Sequence, residues 1–335
     1  MKQITIKENE AGQRFDKLLG KYLNKAPKSF IYKMLRKKNI TLNDKKADGS
    51  EKIKLGDVVK IFLSDETFDK FSEPVAIEEL TNYPKVRKKL NVIYEDEHIL
   101  LINKESGMLV QKAEKKDYSL NDAILEYLAE KKEVTQESLR TFKPSICNRI
   151  DRNTSGLVAA GKSLAGLQEL SLLFKERSLH KYYLCYVAGK LEEKASIKGY
   201  LWKNEKNNQV EIYTQEKTGA KPIETEYNPI GWGEGITLLE VKLVTGRTHQ
   251  IRAHLASIGH PIIGDGKYGH KKINEKYGKL YNIKSQLLHA YRIEFPSMNN
   301  RLSYLSGRKF IAEVPKEFKR METQVKKWQH GIPED

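Results

Sequence analysis

The stretch NRIDRNTSGL, residues 148–157, decides how the rest of the chain is interpreted. It places Asp151 between Arg149 and Arg152 and continues with a Thr-Ser-Gly run. Nearby positive charge favours the ionised form of a carboxylate, and Thr-Ser-Gly is typical of a tight loop. The stretch therefore predicts an ionised carboxylate in a loop, beside groups that bind phosphate. A carboxylate that only orders its own loop through ion pairs is the alternative, and the residues leave both open.

Apolar segments surround this loop. Residues 146–150 lead into it, and residues 157–160 leave it as a short strand, so Asp151 is expected at a bend between two strands, where its side chain can enter a cleft. Ser163 is a candidate N-cap for a helix that runs to Arg177.

Alternating residues follow over 181–187 and predict another strand. Tyr183 lies on one face of that strand, and Tyr182 and Tyr186 lie on the other. We expect one of these tyrosine faces to line the cleft.

A third informative stretch covers residues 244–269. A turn at Thr245-Gly246 precedes a helix that begins near His249, and Arg247 and Arg252 lie close to its N-terminal end. Helix amides and cations together suit an RNA phosphate or a catalytic carboxylate.

Other chemistries have less support in these residues. His249 and His254 are five positions apart, a spacing that separates their side chains by about 140° on a helix. This separation disfavours a shared metal ion, and we expect no metal. Cys147 is a candidate thiol nucleophile, but a lone cysteine beside an apolar residue is typically a small buried side chain. No phosphate-loop or dinucleotide motif occurs, and we expect no cofactor. The candidate metal ligands are His249, His254, His260, His270 and Asp265.

Composition indicates a polyanionic partner. The 335 residues include 60 Lys and Arg against 44 Asp and Glu, a net charge of +16, which favours nucleic acid, although a lysine-rich solvated face is the alternative.

The length suggests two domains. With two cysteines and no long apolar segment, we expect a cytoplasmic protein without a membrane anchor. We also expect a monomer.

The first 70 residues predict a compact basic module. Apolar spacing indicates a helix over residues 15–23, and a second helix from Ser29 places Lys33, Arg36 and Lys37 on one exposed face. A short strand, an Asn-Asp turn and an alternating segment follow at residues 40–42, 43–44 and 59–63.

A proline-containing segment, residues 71–90, is expected to be a linker. Strand patterns at residues 91–96 and 98–103 then begin a second domain, which we place at residues 91–325. Residues 104–107 read as the turn that ends the second of these strands.

Four motifs in order resemble those of the RluA-type pseudouridine synthases of the ribosomal large subunit type. NRIDRNTSGL resembles the family's His-Arg-Leu-Asp-x-x-Thr-Ser-Gly-Leu signature, residues 100–110 its Ile-Asn-Lys-Pro-x-Gly motif, and residues 181–183 its Lys-x-Tyr. TGRTHQIRAHL with HPIIGD resembles the third motif of the family. Residues 1–70 are similar to an S4 RNA-binding domain, a common companion of this family. The resemblance in that module lies in Arg14, Asp16, residues 33–38, Asn43 and Gly56-Asp57.

The resemblance implies roles for individual residues. Asp151 would be the nucleophile, Tyr183 would stack on the target base and take part in the proton step, and Arg252 would pair with Asp151. Lys104 and Lys181 would be structural residues or phosphate contacts. The residues that would bind RNA are Lys33, Arg36, Lys37, Arg149, Arg152, Arg247, His249 and Gln250.

The implied fold is α+β, with a mixed, mostly antiparallel central sheet in the catalytic domain and a small S4-like domain before it. The implied activity is isomerisation of specific uridines in large-subunit (23S) ribosomal RNA, without a cofactor. A synthase for transfer RNA and a non-catalytic RNA-binding ribosome-assembly factor are the alternatives. Asn148, Ile150 and Glu105 depart from the family pattern, but none of them replaces a proposed catalytic group.

Overall fold

The structure, a computed structural model, describes residues 1–73, 89–204, 209–233 and 235–327. Two sheets occur in these ranges, one of four strands near the N-terminus and one of twelve strands in the remainder. Most of the linker predicted at residues 71–90 lies outside the described residues.

The N-terminal unit packs helices against a small antiparallel sheet. Its elements are β1 (Lys2–Thr5), α1 (Phe15–Tyr22), α2 (Lys28–Arg36), β2 (Ile40–Leu42), β3 (Lys45–Lys46), β4 (Val58–Ile61) and α3 (Asp65–Phe71). The strand order is β1-β4-β2-β3. Both predicted helices and the strand at 40–42 are confirmed, and Asn43 and Asp44 form the predicted turn with positive φ angles of 53° and 61°. The S4-like character of this unit stays a prediction.

The larger unit contains the remaining elements. Its first half comprises β5 (Val92–Glu95), β6 (Ile99–Lys104), α4 (Leu120–Glu130), α5 (Gln136–Thr141), β7 (Ser145–Ile146), β8 (Ser155–Gly161), α6 (Leu164–Glu176) and β9 (His180–Ala188). Its second half comprises β10 (Ala195–Asn204), β11 (Gln209–Tyr213), β12 (Lys221–Gly233), β13 (Ile236–Leu243), α7 (Gln250–Ser257), α8 (Lys271–Tyr281), β14 (Leu288–Glu294), a 3₁₀ turn (Ser303–Leu305), β15 (Lys309–Ile311), α9 (Lys316–Glu322) and β16 (Lys326–Lys327).

The large sheet is mixed and mostly antiparallel, as predicted. Its main path runs β11-β10-β12-β13-β9-β14-β8-β6-β5, while β7, β15 and β16 pair at its sides. Among the described strands, β14 and β8 form the parallel pair. The predicted α+β class is confirmed.

Strand β9 lies in the middle of this sheet and separates two cores. Tyr183 and Cys185 belong to the core on one face, and Leu184 and Tyr186 belong to the core on the other. This alternation is the one predicted from the sequence, because successive side chains of a strand point to opposite faces.

The loop that carries Asp151 is fixed where β8 meets β14. Gly156 has φ +108°, and a Cβ atom added there would lie 2.2 Å from the carbonyl oxygen of Ala290, so only glycine fits this crossing. Next to it, the Ser155 hydroxyl donates to Nδ1 of His289 (2.8 Å), whose Nε2–H donates to the carbonyl of Ala312 (3.1 Å). The C-terminal end of the loop therefore has a rigid anchor.

The two units are also in contact. The Thr141 hydroxyl donates to a Glu10 carboxylate oxygen at 2.6 Å, and the Leu164 amide at the start of α6 donates to Asn9 at 3.2 Å. The Arg140 guanidinium donates to the Ser72 hydroxyl at 3.0 Å. These bonds hold the N-terminal unit against the helices of the larger one.

We expect the His289→Gln variant to lose less stability in acid than the unchanged protein. Burial lowers the pKa of His289 from 6.5 to about 4. Between these values the unfolded chain binds a proton that the folded chain does not, so the free energy of unfolding falls as pH drops from about 6.5 to about 4, by up to about 3 kcal/mol. Chemical denaturation across this range measures the effect. The control is His180→Gln at an exposed position, and equal acid sensitivity of His289→Gln and the unchanged protein would contradict the prediction.

Candidate active site

Asp151 lines a cleft between the described elements, with a volume of about 1020 Å³. The loop after β7 supplies one wall, β9 supplies the floor through Tyr183, and the segment that begins α7 supplies another wall. The Asp151 side chain is 26% exposed, so solvent or a substrate can reach it. The position at a bend between strands agrees with the sequence prediction.

Arg252 connects Asp151 to a second, buried carboxylate. Its Nη1 donates to Oδ2 of Asp151 at 2.7 Å, which is the predicted pairing. Its Nε and Nη2 donate to the two oxygens of Asp265 at 2.7 and 2.9 Å, a bidentate geometry. The guanidinium thus has one carboxylate that fixes its plane and one that faces the cleft.

Asp265 is the anchor of this arrangement. It is fully buried, and its Oδ1 also accepts from the backbone amides of Lys267 (2.8 Å) and Tyr268 (3.0 Å). Although burial by itself opposes ionisation, the hydrogen bonds and charge of Arg252 hold the pKa of Asp265 below its usual value. Burial likewise opposes the charge of Arg252, but Asp265 and Asp151 together raise the pKa of the guanidinium.

The sequence prediction did not include Asp265 among the catalytic or RNA-binding residues. Asp265 ends the HPIIGD run, and its place in the third family motif is the one sequence feature that points to a role in the site. In the sequence it is a candidate metal ligand instead. The structure pairs it with Arg252, and no group of three or more metal-ligating side chains occurs among the described residues.

His249 presents its ring toward Asp151. It is the N-cap of α7 and has φ 53°, a left-handed backbone. Its Nδ1 lies 3.0 Å from the Tyr268 hydroxyl, which also accepts from the Val210 amide at 3.0 Å. Its Nε2 lies 4.0 Å from Oδ2 of Asp151. Burial lowers the pKa of His249 despite the charge of Asp151.

Tyr183 lines the cleft from β9 and is 7% exposed. Burial, and then the charge of Asp151, raise the pKa of its phenol, which keeps the hydroxyl protonated at neutral pH. The ring therefore offers an apolar surface and a neutral O–H close to the carboxylate.

Lys104 supports the loop from behind. It is 1% exposed, and its Nζ donates to the carbonyls of Glu105, Met108 and Arg152 at 2.8 to 3.0 Å. Burial lowers its pKa to about 7 against the opposing charges of Asp151 and Glu105. Of the two roles expected for Lys104, these contacts support the structural one.

Of the predicted RNA-binding residues, five line the cleft: Arg149, Arg152, Arg247, His249 and Gln250. Arg149 and Arg152 are exposed, and Nε of Arg152 donates to the Gly107 carbonyl at 3.1 Å. The predicted residues of α2 lie elsewhere. Lys33, Arg36 and Lys37 are exposed on that helix of the N-terminal unit and do not line the cleft.

Gln250 lines the cleft but is mostly buried. It is 2% exposed, and its amide nitrogen donates to the Glu224 carbonyl and the Thr225 hydroxyl, each at 3.0 Å. Its amide oxygen accepts from the Thr245 hydroxyl (2.9 Å) and the Arg247 amide (3.1 Å). These bonds occupy both ends of the amide and stabilise the turn before α7, and an RNA contact of Gln250 stays a prediction.

The cleft is strongly electropositive. Asp151 is the one carboxylate among its described lining residues, whereas ten lining residues are lysine or arginine. To six of these cations the sequence assigned no RNA contact or catalytic role, or only an alternative one. The ten are Lys112, Arg149, Arg152, Lys175, Arg177, Lys181, Lys203, Arg247, Arg252 and Lys267.

Cys147 also lines the cleft, but its chemistry is that of a packed thiol. Burial raises the pKa of Cys147 to about 12, so little reactive thiolate forms at neutral pH. The structure therefore favours a small buried side chain over a thiol nucleophile for Cys147.

A carboxylate in a strongly basic cleft on a mixed sheet is an arrangement that suits chemistry on a polyanion. The sequence pattern of the family described as RNA pseudouridylate synthase matches residues 98–257. The chain belongs to this family, and its members are isomerases. The fold agrees, since human RNA pseudouridylate synthase domain containing 1 matches with a TM-score of 0.55 at 21% identity, over 76% of this chain and 94% of that one.

Relatives extend the similarity over most of the chain. Ribosomal large subunit pseudouridine synthase C of Vibrio parahaemolyticus is 33% identical over 89% of each chain. The protein of the same name from Haemophilus influenzae is 31% identical over 90% of this chain and 88% of its own. An RNA pseudouridine synthase of Mycoplasma capricolum is 30% identical over 93% of this chain and 97% of its own. The family and enzyme class predicted from the motifs are confirmed.

We expect Asp265→Asn to lower the free energy of unfolding by about 3–5 kcal/mol, because it leaves a buried guanidinium without its bidentate partner. Pseudouridine formation should fall as well, because Arg252 then no longer has a fixed plane from which to hold Asp151. Urea denaturation and single-turnover assays measure the two effects. Asp69→Asn, at an exposed position on α3, is the matched control and should stay within about 0.5 kcal/mol of the unchanged protein. A similarly small effect of Asp265→Asn would contradict the anchoring role.

Proposed function

We propose that this protein converts specific uridines of large-subunit ribosomal RNA to pseudouridine, with Asp151 as the nucleophile. The observation that carries the proposal is the single carboxylate of the cleft, held by Arg252 at 2.7 Å among ten lysines and arginines. The choice of ribosomal RNA is supported by relatives named ribosomal large subunit pseudouridine synthase C. Free cysteines at positions 147 and 185 suit action in the cytoplasm.

The reaction breaks the bond between C1′ of the ribose and N1 of uracil and joins C1′ to C5. The uracil turns between these steps, C5 loses its proton, and N1 gains one. An ionised Asp151 can serve by attack on C1′, by addition to C6 or by assisting formation of a glycal. Arg252 holds the carboxylate in place in each route through the hydrogen bond at 2.7 Å.

The residues around Asp151 suit the steps that surround bond cleavage. A target base must leave its stack to reach the cleft, at a cost of a few kcal/mol, and an aromatic ring such as Tyr183 offsets part of this cost by stacking. The imidazole of His249, which lines the same cleft, can form a hydrogen bond with the bound nucleotide. The phenol of Tyr183 is a candidate for the proton transfer at C5.

The N-terminal unit provides a second basic surface. Residues 1–70 act in this proposal as an S4-like RNA-binding domain, with Lys33, Arg36 and Lys37 exposed on α2. The hydrogen bonds between the two units, such as that between Thr141 and Glu10, favour a fixed spacing between this surface and the cleft.

Replacement of Asp151 by Asn or Ala should lower pseudouridine formation by at least about 10³-fold while RNA affinity changes little. Arg252 retains its bidentate bond to Asp265 in both variants, so the fold should persist. Pseudouridine mapping of ribosomal and transfer RNA from cells that lack the protein, with and without each variant, measures activity and identifies the substrate. Full activity of Asp151→Asn would refute the role of the carboxylate, and pseudouridines lost from transfer RNA alone would refute the ribosomal substrate. Complete rescue of the deletion by Asp151→Ala would indicate an assembly role instead.

Variants of Tyr183 separate stacking from proton transfer. Tyr183→Phe keeps the ring and removes the hydroxyl, so a proton-transfer role predicts a loss of about 10²–10⁴-fold in kcat. Tyr183→Leu removes the ring as well and should in addition weaken binding of a substrate RNA, since base stacking on an aromatic side chain contributes about 1–3 kcal/mol. Single-turnover kinetics and filter binding distinguish the effects. Unchanged kcat in Tyr183→Phe would assign stacking alone to this residue.

A further inference from the structure

Three basic side chains of the cleft have no ion-paired carboxylate among the described residues. Lys181 lies on β9, and a Cβ atom added to Gly246 would be 3.6 Å from its Nζ. Arg247 follows Gly246 directly, and the positive charge of Arg177 acts on Lys181. All three cations line the same cleft.

These cations have unmet capacity to bind an anion. Within the part of the chain that the structure describes, Nε of Arg247 is buried and has no hydrogen-bond partner. Burial, and then the charge of Arg177, lower the pKa of Lys181, so protonation of this lysine in the empty cleft has a free-energy cost. A buried donor without an acceptor costs about 1–3 kcal/mol, which a bound anion would recover.

Protein carboxylates do not meet this need. Asp151 is the one carboxylate among the described residues that line the cleft, and Arg252 holds it at 2.7 Å. Two guanidinium groups and an ammonium group suit the oxygens of a tetrahedral phosphate, since all three form charge-assisted hydrogen bonds with it.

We propose that Lys181, Arg177 and Arg247 bind one phosphodiester group of the RNA beside the nucleotide that enters the active site. This site rests on the proposed function, because it uses the same cleft. Lys181 and Tyr183 are two residues apart on one face of β9, a separation of about 7 Å, which is comparable to the size of one nucleotide. A phosphate on Lys181 would therefore place the neighbouring base near the Tyr183 ring.

The test compares Lys181→Gln with Lys272→Gln, which changes an exposed lysine outside the cleft. Affinity of the full chain for a short oligouridylate is measured over a range of salt concentrations. Loss of one phosphate contact should reduce the slope of log affinity against log salt by about 0.7 and weaken binding about tenfold at low salt. Lys181→Arg should restore most of the affinity and slope. Melting temperatures check that both variants remain folded.

If Lys181→Gln and Lys272→Gln bind the oligouridylate with the same affinity and the same salt slope, the proposal is wrong. Inorganic phosphate at constant ionic strength tests for a free anion in place of a phosphodiester. If Lys181→Gln weakens phosphate binding but leaves oligouridylate affinity unchanged, the phosphodiester assignment is wrong.

A phosphate contact does not depend on base sequence, so this measurement does not require the natural target. A reduced salt slope without pseudouridine in ribosomal RNA would overturn the proposed substrate alone. Normal pseudouridine formation with an unchanged slope would overturn this phosphate site alone.

Discussion

The bidentate ion pair between Arg252 and Asp265 is the interaction on which the geometry of the site depends. Asp265 is fully buried and accepts two backbone amides as well, so it is fixed before any substrate binds. Its negative charge compensates the buried guanidinium, and Nη1 remains to hold Asp151 at the edge of the cleft. A charge pair of this kind is favourable only when its hydrogen bonds are satisfied, and here each group of Asp265 and Arg252 that faces the interior has a partner.

The sheet brings the parts of the site together from distant segments. The loop with Asp151 is held at its end by the β8–β14 crossing, where Gly156 meets the backbone of Ala290, and from behind by the buried ammonium of Lys104. Strand β9 passes beside this crossing and presents Tyr183 to the same cleft. The candidate catalytic groups therefore lie on elements held by backbone pairing and buried hydrogen bonds, an arrangement that limits reorganisation during a reaction.

The cleft keeps more positive charge than its own carboxylate can neutralise. Mutual repulsion and burial of cations such as Lys181 act against stability, as the lowered pKa of that lysine indicates. The same charge attracts a polyanion and provides the hydrogen-bond donors that phosphates require. The surplus is thus explained by binding, since the hydrophobic cores on the two faces of the sheet provide the stability that it reduces.

The sequence by itself predicted some of the strands and helices, because these follow from local periodicity. Motifs that stand in order along the chain identified the family, and that resemblance implied the α+β class and the pairing of Asp151 with Arg252. Only the tertiary structure identified Asp265 as the anchor, Gln250 as a buried support and cations such as Lys175 and Lys203 as part of the cleft. The roles of these residues depend on which side chains from distant segments lie within hydrogen-bond distance or share a surface. Spacing along a sequence does not contain that information, because burial and electrostatic partners are set by how the strands cross in the folded chain.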